Sequence, residues 1–102
     1  MESWRFDWDR ANWIKCQKHG VSIDDIESLF DRPLAILPDQ THSDRERRLR
    51  AVGWTREGRA IFVVYTVRSH GNDPRIRPIS ARYMHAKEIA IYEKENPDIQ
   101  KR

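Results

Sequence analysis

The spacing of apolar positions changes twice along this chain, and those changes divide it into elements. Residues 4–8 alternate, with Trp4, Phe6 and Trp8 on one side, which predicts a short strand. Asp9 stands where a helix N-cap is expected, ahead of a helix over residues 10–19. Its stripe is Ala11, Ile14 and Lys18, flanked by Trp13 and Cys16. Gly20 stops this helix, because glycine takes the left-handed conformation at the end without a Cβ penalty. Ser22 caps a second helix with Asp24 and Asp25 in its first turn, where the helix dipole favours acids. Ile26, Leu29 and Phe30 form its inward stripe, and Pro33 ends it.

From residue 34 the period falls to two. Residues 34–37 are a short apolar run between prolines, which suits an edge strand, and 39–44 read as a polar loop. Residues 47–54 set Arg48, Arg50 and Val52 against Leu49 and Ala51. Glu57-Gly58 marks a hairpin turn over 55–59. Residues 60–67 are almost continuously apolar and β-branched, as in a strand covered on both faces. Gly71-Asn72-Asp73-Pro74 predicts a longer turn over 68–74, followed by a last strand over 75–81. Residues 83–95 read as a helix with Met84, Glu88, Ile91 and Tyr92 at helical spacing, closed by Asn96-Pro97, and 96–102 as a flexible tail. The order β-α-α-β-β-β-β-α, with helices segregated to the ends, predicts one α+β domain over 1–102 with an antiparallel sheet.

Composition narrows the class. A chain of 102 residues builds a single modest core, and its 34% of mixed-sign charged residues lie among apolar ones spread throughout, unlike a disordered tract. The single Cys16 forms no intramolecular disulfide and fits a reducing compartment. No apolar run approaches the roughly 20 residues of a membrane helix, and no signal-peptide core is present, so a cytoplasmic location is expected. Charge is unevenly divided: residues 1–44 balance at −4 and residues 45–102 at +7. The basic half includes Arg75-Ile76-Arg77-Pro78-Ile79-Ser80-Ala81-Arg82, an extended run of always-charged forks suited to phosphate. A polyanion, RNA first, is the expected ligand. There is no HxxxH, CxxC, Gly-rich phosphate loop or nucleophile elbow, so neither a metal nor another cofactor is expected.

Three N-terminal motifs, Phe6-Asp7-Trp8-Asp9, Lys18-His19-Gly20-Val21-Ser22 and Phe30-Asp31-Arg32-Pro33-Leu34, resemble the first half of the BrnT toxin family. Arg48, Val52-Gly53, Gly58-Arg59, Val63-Val64-Tyr65-Thr66, Ile76–Arg82, Glu88 and Tyr92 resemble the rest, in collinear order over positions 5–93. The resemblance implies a RelE-like fold and a bacterial ribonuclease toxin that inhibits translation. It also implies neutralisation by a BrnA-like ribbon-helix-helix antitoxin, with promoter DNA met only through the toxin–antitoxin complex. A non-catalytic RNA-binding module and a protein-interaction subunit remain as alternatives.

Cleavage of RNA without a metal requires a deprotonated 2′-hydroxyl, stabilisation of the extra phosphate charge and a proton for the departing oxygen. Arg77 and Arg82 are the candidates for the scissile phosphate, the alternative for Arg82 being a salt bridge to Glu88. Five positions apart, they point to opposite faces of a regular strand. They serve one site only if Pro78 marks a bulge or the strand ends before Arg82. Lys18 and His19 are candidates for proton transfer, the alternative being a cation that caps a helix end. Arg48 and Arg50 share a strand face and could extend the basic surface. Trp54 is a candidate base-stacking platform, and Tyr92 could supply a hydroxyl or pack.

Overall fold

The computed structural model describes residues 4–39 and 46–99. It is an α+β domain: α1 (Arg10–Gln17), α2 (Ile23–Leu29), β1 (Leu34–Pro38), β2 (Leu49–Trp54), β3 (Ala60–His70), β4 (Asp73–Tyr83) and α3 (Ala86–Glu95). The four strands form one antiparallel sheet in the order β1-β2-β3-β4. The expected loop over 39–44 falls, apart from Asp39, outside the described residues.

The helix boundaries follow local chemistry. Asp9 accepts from the Asn12 amide at 3.0 Å and its own amide donates to Asn12 Oδ1 at 2.7 Å, a reciprocal cap on α1. Gly20, at φ +84°, supplies the left-handed residue that ends the segment. Ser22 Oγ accepts from the Asp25 amide and starts α2.

The two sheet faces carry different cores. Both N-terminal helices pack on one face, where Cys16, Val21, Ile26, Leu29, Ala51, Ile61, Val63, Tyr65, Ile76 and Ala81 are buried. Gly53 lies in β2 directly under α2: a Cβ there would stand 3.0 Å from both Leu29 Cδ1 and the Pro33 carbonyl oxygen. On the opposite face α3 covers a smaller cluster of Ala35, Val52, Ala60, Ile89 and Ile99.

Four local expectations are corrected. Residues 4–8 are not a strand but make one parallel bridge, Phe6 to Ile76, on the outer edge of β4. The face of α1 turned to the sheet is Asn12 and Cys16, while Ala11, Ile14 and Lys18 are exposed, because Asn12 Nδ2 donates to the carbonyls of Asp7 and Pro78. The turn expected over 68–74 shrinks to Gly71-Asn72, since β3 and β4 pair out to His70 and Asp73. Residue 83 stays in β4 and α3 starts at Ala86; Ile89 is its buried residue, and Ile91 faces out. Within the stretch read as a tail, Ile99 is buried against Ile89's cluster, and residues 100–102 lie outside the described residues.

Candidate nucleic-acid interface

The site is set by one irregularity in β4. Val64 pairs with Ser80 and Tyr65 with Pro78, which leaves Ile79 as an extra residue opposite a single step of β3. Proline has no N–H to give the ladder, so the register breaks where its absence costs least. The Pro78 carbonyl is taken instead by Asn12 Nδ2 at 2.9 Å. The sequence allowed Arg77 and Arg82 one side only with a bulge at Pro78 or a strand ending before Arg82; the strand runs on to Tyr83, and the bulge is present, on an edge strand.

Its consequence is a change of phase. Directly opposed residues of an antiparallel pair share a face. Arg77 opposes Thr66 and Arg82 opposes Phe62, an even number of residues apart on β3, so both arginines project from the same side. Arg50 opposes Val64 and Val52 opposes Phe62 across β2, which adds Arg50 to that side, with Arg48 two positions before it. It is the face that α3 covers only at the Ala35–Val52–Ala60 end. The remainder is open and forms two adjoining hollows. One, of about 220 Å³, is lined by Lys15, Asp39, Arg48, Arg50, Phe62, Val64, Ile79 and Ser80. The other, of about 210 Å³, lies toward Arg77, and Lys15, Arg48 and Ile79 border both.

The guanidiniums are held in fixed poses. Arg82 makes a two-pronged pair with Glu88, at 2.9 and 2.6 Å, and lies over the Phe62 ring at 4.4 Å. That bond holds the Glu88 carboxyl below its ordinary range. Arg50 donates to the Tyr92 hydroxyl at 2.7 Å and to Asp39 at 2.9 Å, and faces the same Phe62 ring at 5.0 Å. Arg77 is 14% exposed and donates to Asp9 at 2.7 Å, with Asp7 at 3.8 Å. Asp9 has a lowered pKa, first from the Asn12 amide and then from Arg77. Arg48 differs in making no ion pair among the described residues; its Nε, like that of Arg50, is buried without an acceptor.

The other predicted residues divide. Trp54 is half-buried in the core beneath α3, its Nε1–H donating to Glu93 at 3.3 Å and its carbonyl accepting from Arg32, so it packs as well as facing the helix. Tyr92 both packs in that cluster and brings its hydroxyl to Arg50. Lys18 and His19 are exposed at the end of α1 and make no side-chain hydrogen bond or ion pair among the described residues. They follow Lys15 by three and four positions, one helical turn further on. Lys15 itself was missed. The spacing Ala11, Lys15, Lys18 is a helical stripe, and it borders the hollows rather than the core.

The bulge in edge strand β4 puts Arg77 and Arg82 on the half-covered sheet face that also carries Arg48 and Arg50, in a small α+β domain with one basic face. Residues 8–88 match the family described as ribonuclease toxin, BrnT, of type II toxin-antitoxin system. The match spans most of the chain, which therefore belongs to the BrnT family: it is a ribonuclease toxin of a type II toxin–antitoxin system, with RNA as substrate and an antitoxin as partner. No curated protein matches the chain. Among the described residues no helix is long and apolar enough to cross a membrane, and no three His, Cys, Asp or Glu side chains group as metal ligands.

Proposed function

We propose that this toxin cleaves RNA without a metal ion, on the open half of the α3-side sheet face. The observation that carries the reading is the bulge at Ile79, which brings Arg77 and Arg82 to the side already occupied by Arg48 and Arg50. Phe62 and Thr66 are four residues apart on β3, so the Cα atoms of Arg82 and Arg77 are separated by about 13 Å at ~3.3 Å per residue. In this reading the two arginines bracket the RNA backbone, each on its own phosphate. Arg82 and Arg50, both over Phe62, stabilise the charge that builds on the scissile phosphate. The Tyr92 hydroxyl and the Glu88 carboxylate, each hydrogen-bonded to one of those guanidiniums, handle the proton transfers. Lys18 and His19 carry no step in this scheme.

We propose further that the antitoxin is BrnA-like, that it presents an acidic segment to this face in place of RNA phosphates, and that promoter DNA is met only through the complex. A second reading, capture of RNA without cleavage, draws on the pairing of Arg82 by Glu88, which a phosphate must displace.

The test is an RNA cleavage assay in EDTA with the wild type and Arg82→Ala, with analysis of the product 3′ ends. Cyclic or 3′-phosphate ends from the wild type, reduced at least 100-fold in the variant, are expected, on the scale of losing one charge-stabilising donor. Intact RNA from both, with binding retained, selects capture instead.

A further inference from the structure

We infer that the hollow beside Arg77 is a second phosphate subsite, built to hold an RNA phosphodiester away from the reacting bond. The inference rests on the RNA reading above but not on cleavage. Four cations border this hollow, Lys15 from α1, Arg48, Arg68 from β3 and Arg77 from β4, against a single carboxylate, Glu46. Glu46 is taken at 3.5 Å by Arg68 on the rim and Arg77 is paired with Asp9 and Asp7, which leaves Lys15 and Arg48 as the lining cations with no ion pair among the described residues.

The cations differ in a way that suits an anion site. Arg77 is held from behind by Asp9 and Asp7, which fixes its fork without reaching into the hollow's other wall. Lys15 is exposed and makes no ion pair among the described residues. Arg48 is the informative one. Its Nε, like that of Arg50, is buried without an acceptor among the described residues, but unlike Arg50, which is paired with Asp39, its guanidinium has no ion pair among them. An incoming phosphate supplies the counter-charge that this guanidinium lacks, and its charge suits the surrounding cations. The Asn12 side chain, whose Nδ2 is committed to the Asp7 and Pro78 carbonyls, forms part of the wall and fixes α1, hence Lys15, against β4.

Position separates this subsite from the reacting end. Arg77 opposes Thr66, and Arg82 opposes Phe62, about 13 Å away along β3 at the usual strand rise. That separation leaves room for two phosphates at different positions along a single strand, with Ile79 and Val64 between them as an apolar floor.

The test is binding of a 2′-O-methyl oligoribonucleotide, which lacks the attacking hydroxyl, measured by fluorescence anisotropy across a salt series. For single strands each phosphate contact contributes about 0.7 to the slope of log K against log salt. Arg48→Met is expected to flatten the slope by about that amount, Arg48→Lys to restore it, and Lys15→Met to flatten it as well. If Arg48→Met does not fold, Arg68→Met on the exposed rim carries the same expectation. Unchanged slopes in folded variants, or no binding by the wild type, overturn the subsite. Because the probe cannot be cut, failure of the EDTA assay alone leaves this inference standing.

Discussion

Asn12 decides the phase of the first helix although it is polar. Its amide, its Oδ1 and both ends of its Nδ2 bonding are committed, to Asp9, Asp7 and Pro78. A buried amide with every partner in place outweighs the turning-inward of Ile14, which stays exposed. This is why the hydrophobic pattern of residues 10–19 misled: the core-facing residues were chosen by hydrogen bonding, and Lys15 was turned to the hollows as a result. At the same scale, Glu88 yields a pH prediction. Its bond to Arg82 holds its pKa below the ordinary 4.5, so the stability it confers is fully present above about pH 4.5 and is lost as pH falls through the depressed value. Both side chains are partly exposed, so the contribution is on the order of 1 kcal/mol or less. Denaturant midpoints measured from pH 7 to pH 3 should show the wild type losing its advantage over Glu88→Gln across that acid range.

Among the elements, the helices and all four strands of the sheet were legible from caps, breakers and alternation, because those signals are local, while the strand expected over 4–8 is only a single bridge. Ser22, Gly20 and Pro33 each act on their own neighbours and gave boundaries close to those observed. The short turn at Gly71-Asn72 was misread since Asp73 and Pro74, turn formers in isolation, are recruited into the end of β4. Proline there is tolerated because β4 is an edge strand. Gly53 offers a test of how tightly α2 sits on β2. One of the atoms a methyl would meet is the Pro33 carbonyl oxygen, which is backbone and cannot swing aside. Gly53→Ala should destabilise the protein by about 1–3 kcal/mol in equilibrium denaturation, with α2 and the start of β1 shifting first in hydrogen exchange.

For the whole molecule, the α+β architecture and the basic character of the second half followed from element order and charge, whereas the gathering of arginines onto one face did not. That gathering depends on a single register shift between Val64 and Tyr65, which pairs residues from two strands and leaves no local trace except Pro78. Two pieces of sequence that look alike in composition, Arg48–Arg50 and Arg77–Arg82, become neighbours only through β3 between them. Trp54 shows the reverse: an aromatic near a turn invited a stacking role, and long-range packing under α3 took most of its surface.

The extra residue in β4 also makes the strand's length negotiable. Removing one residue from a strand usually turns every following side chain inside out. Here, shortening the chain at Ile79 restores an ordinary ladder and leaves Ile76 and Ala81 inward, with Arg77 and Arg82 still on their present side. A Δ79 variant should therefore fold with an intact sheet, by circular dichroism and thermal melting, while losing the apolar floor that Ile79 gives to both hollows. Its affinity for single-stranded RNA should fall although no charge has been changed. On that outcome Ile79 would be a spacer that the fold can spare and the groove cannot, and natural variation in the length of β4 would track RNA handling rather than stability.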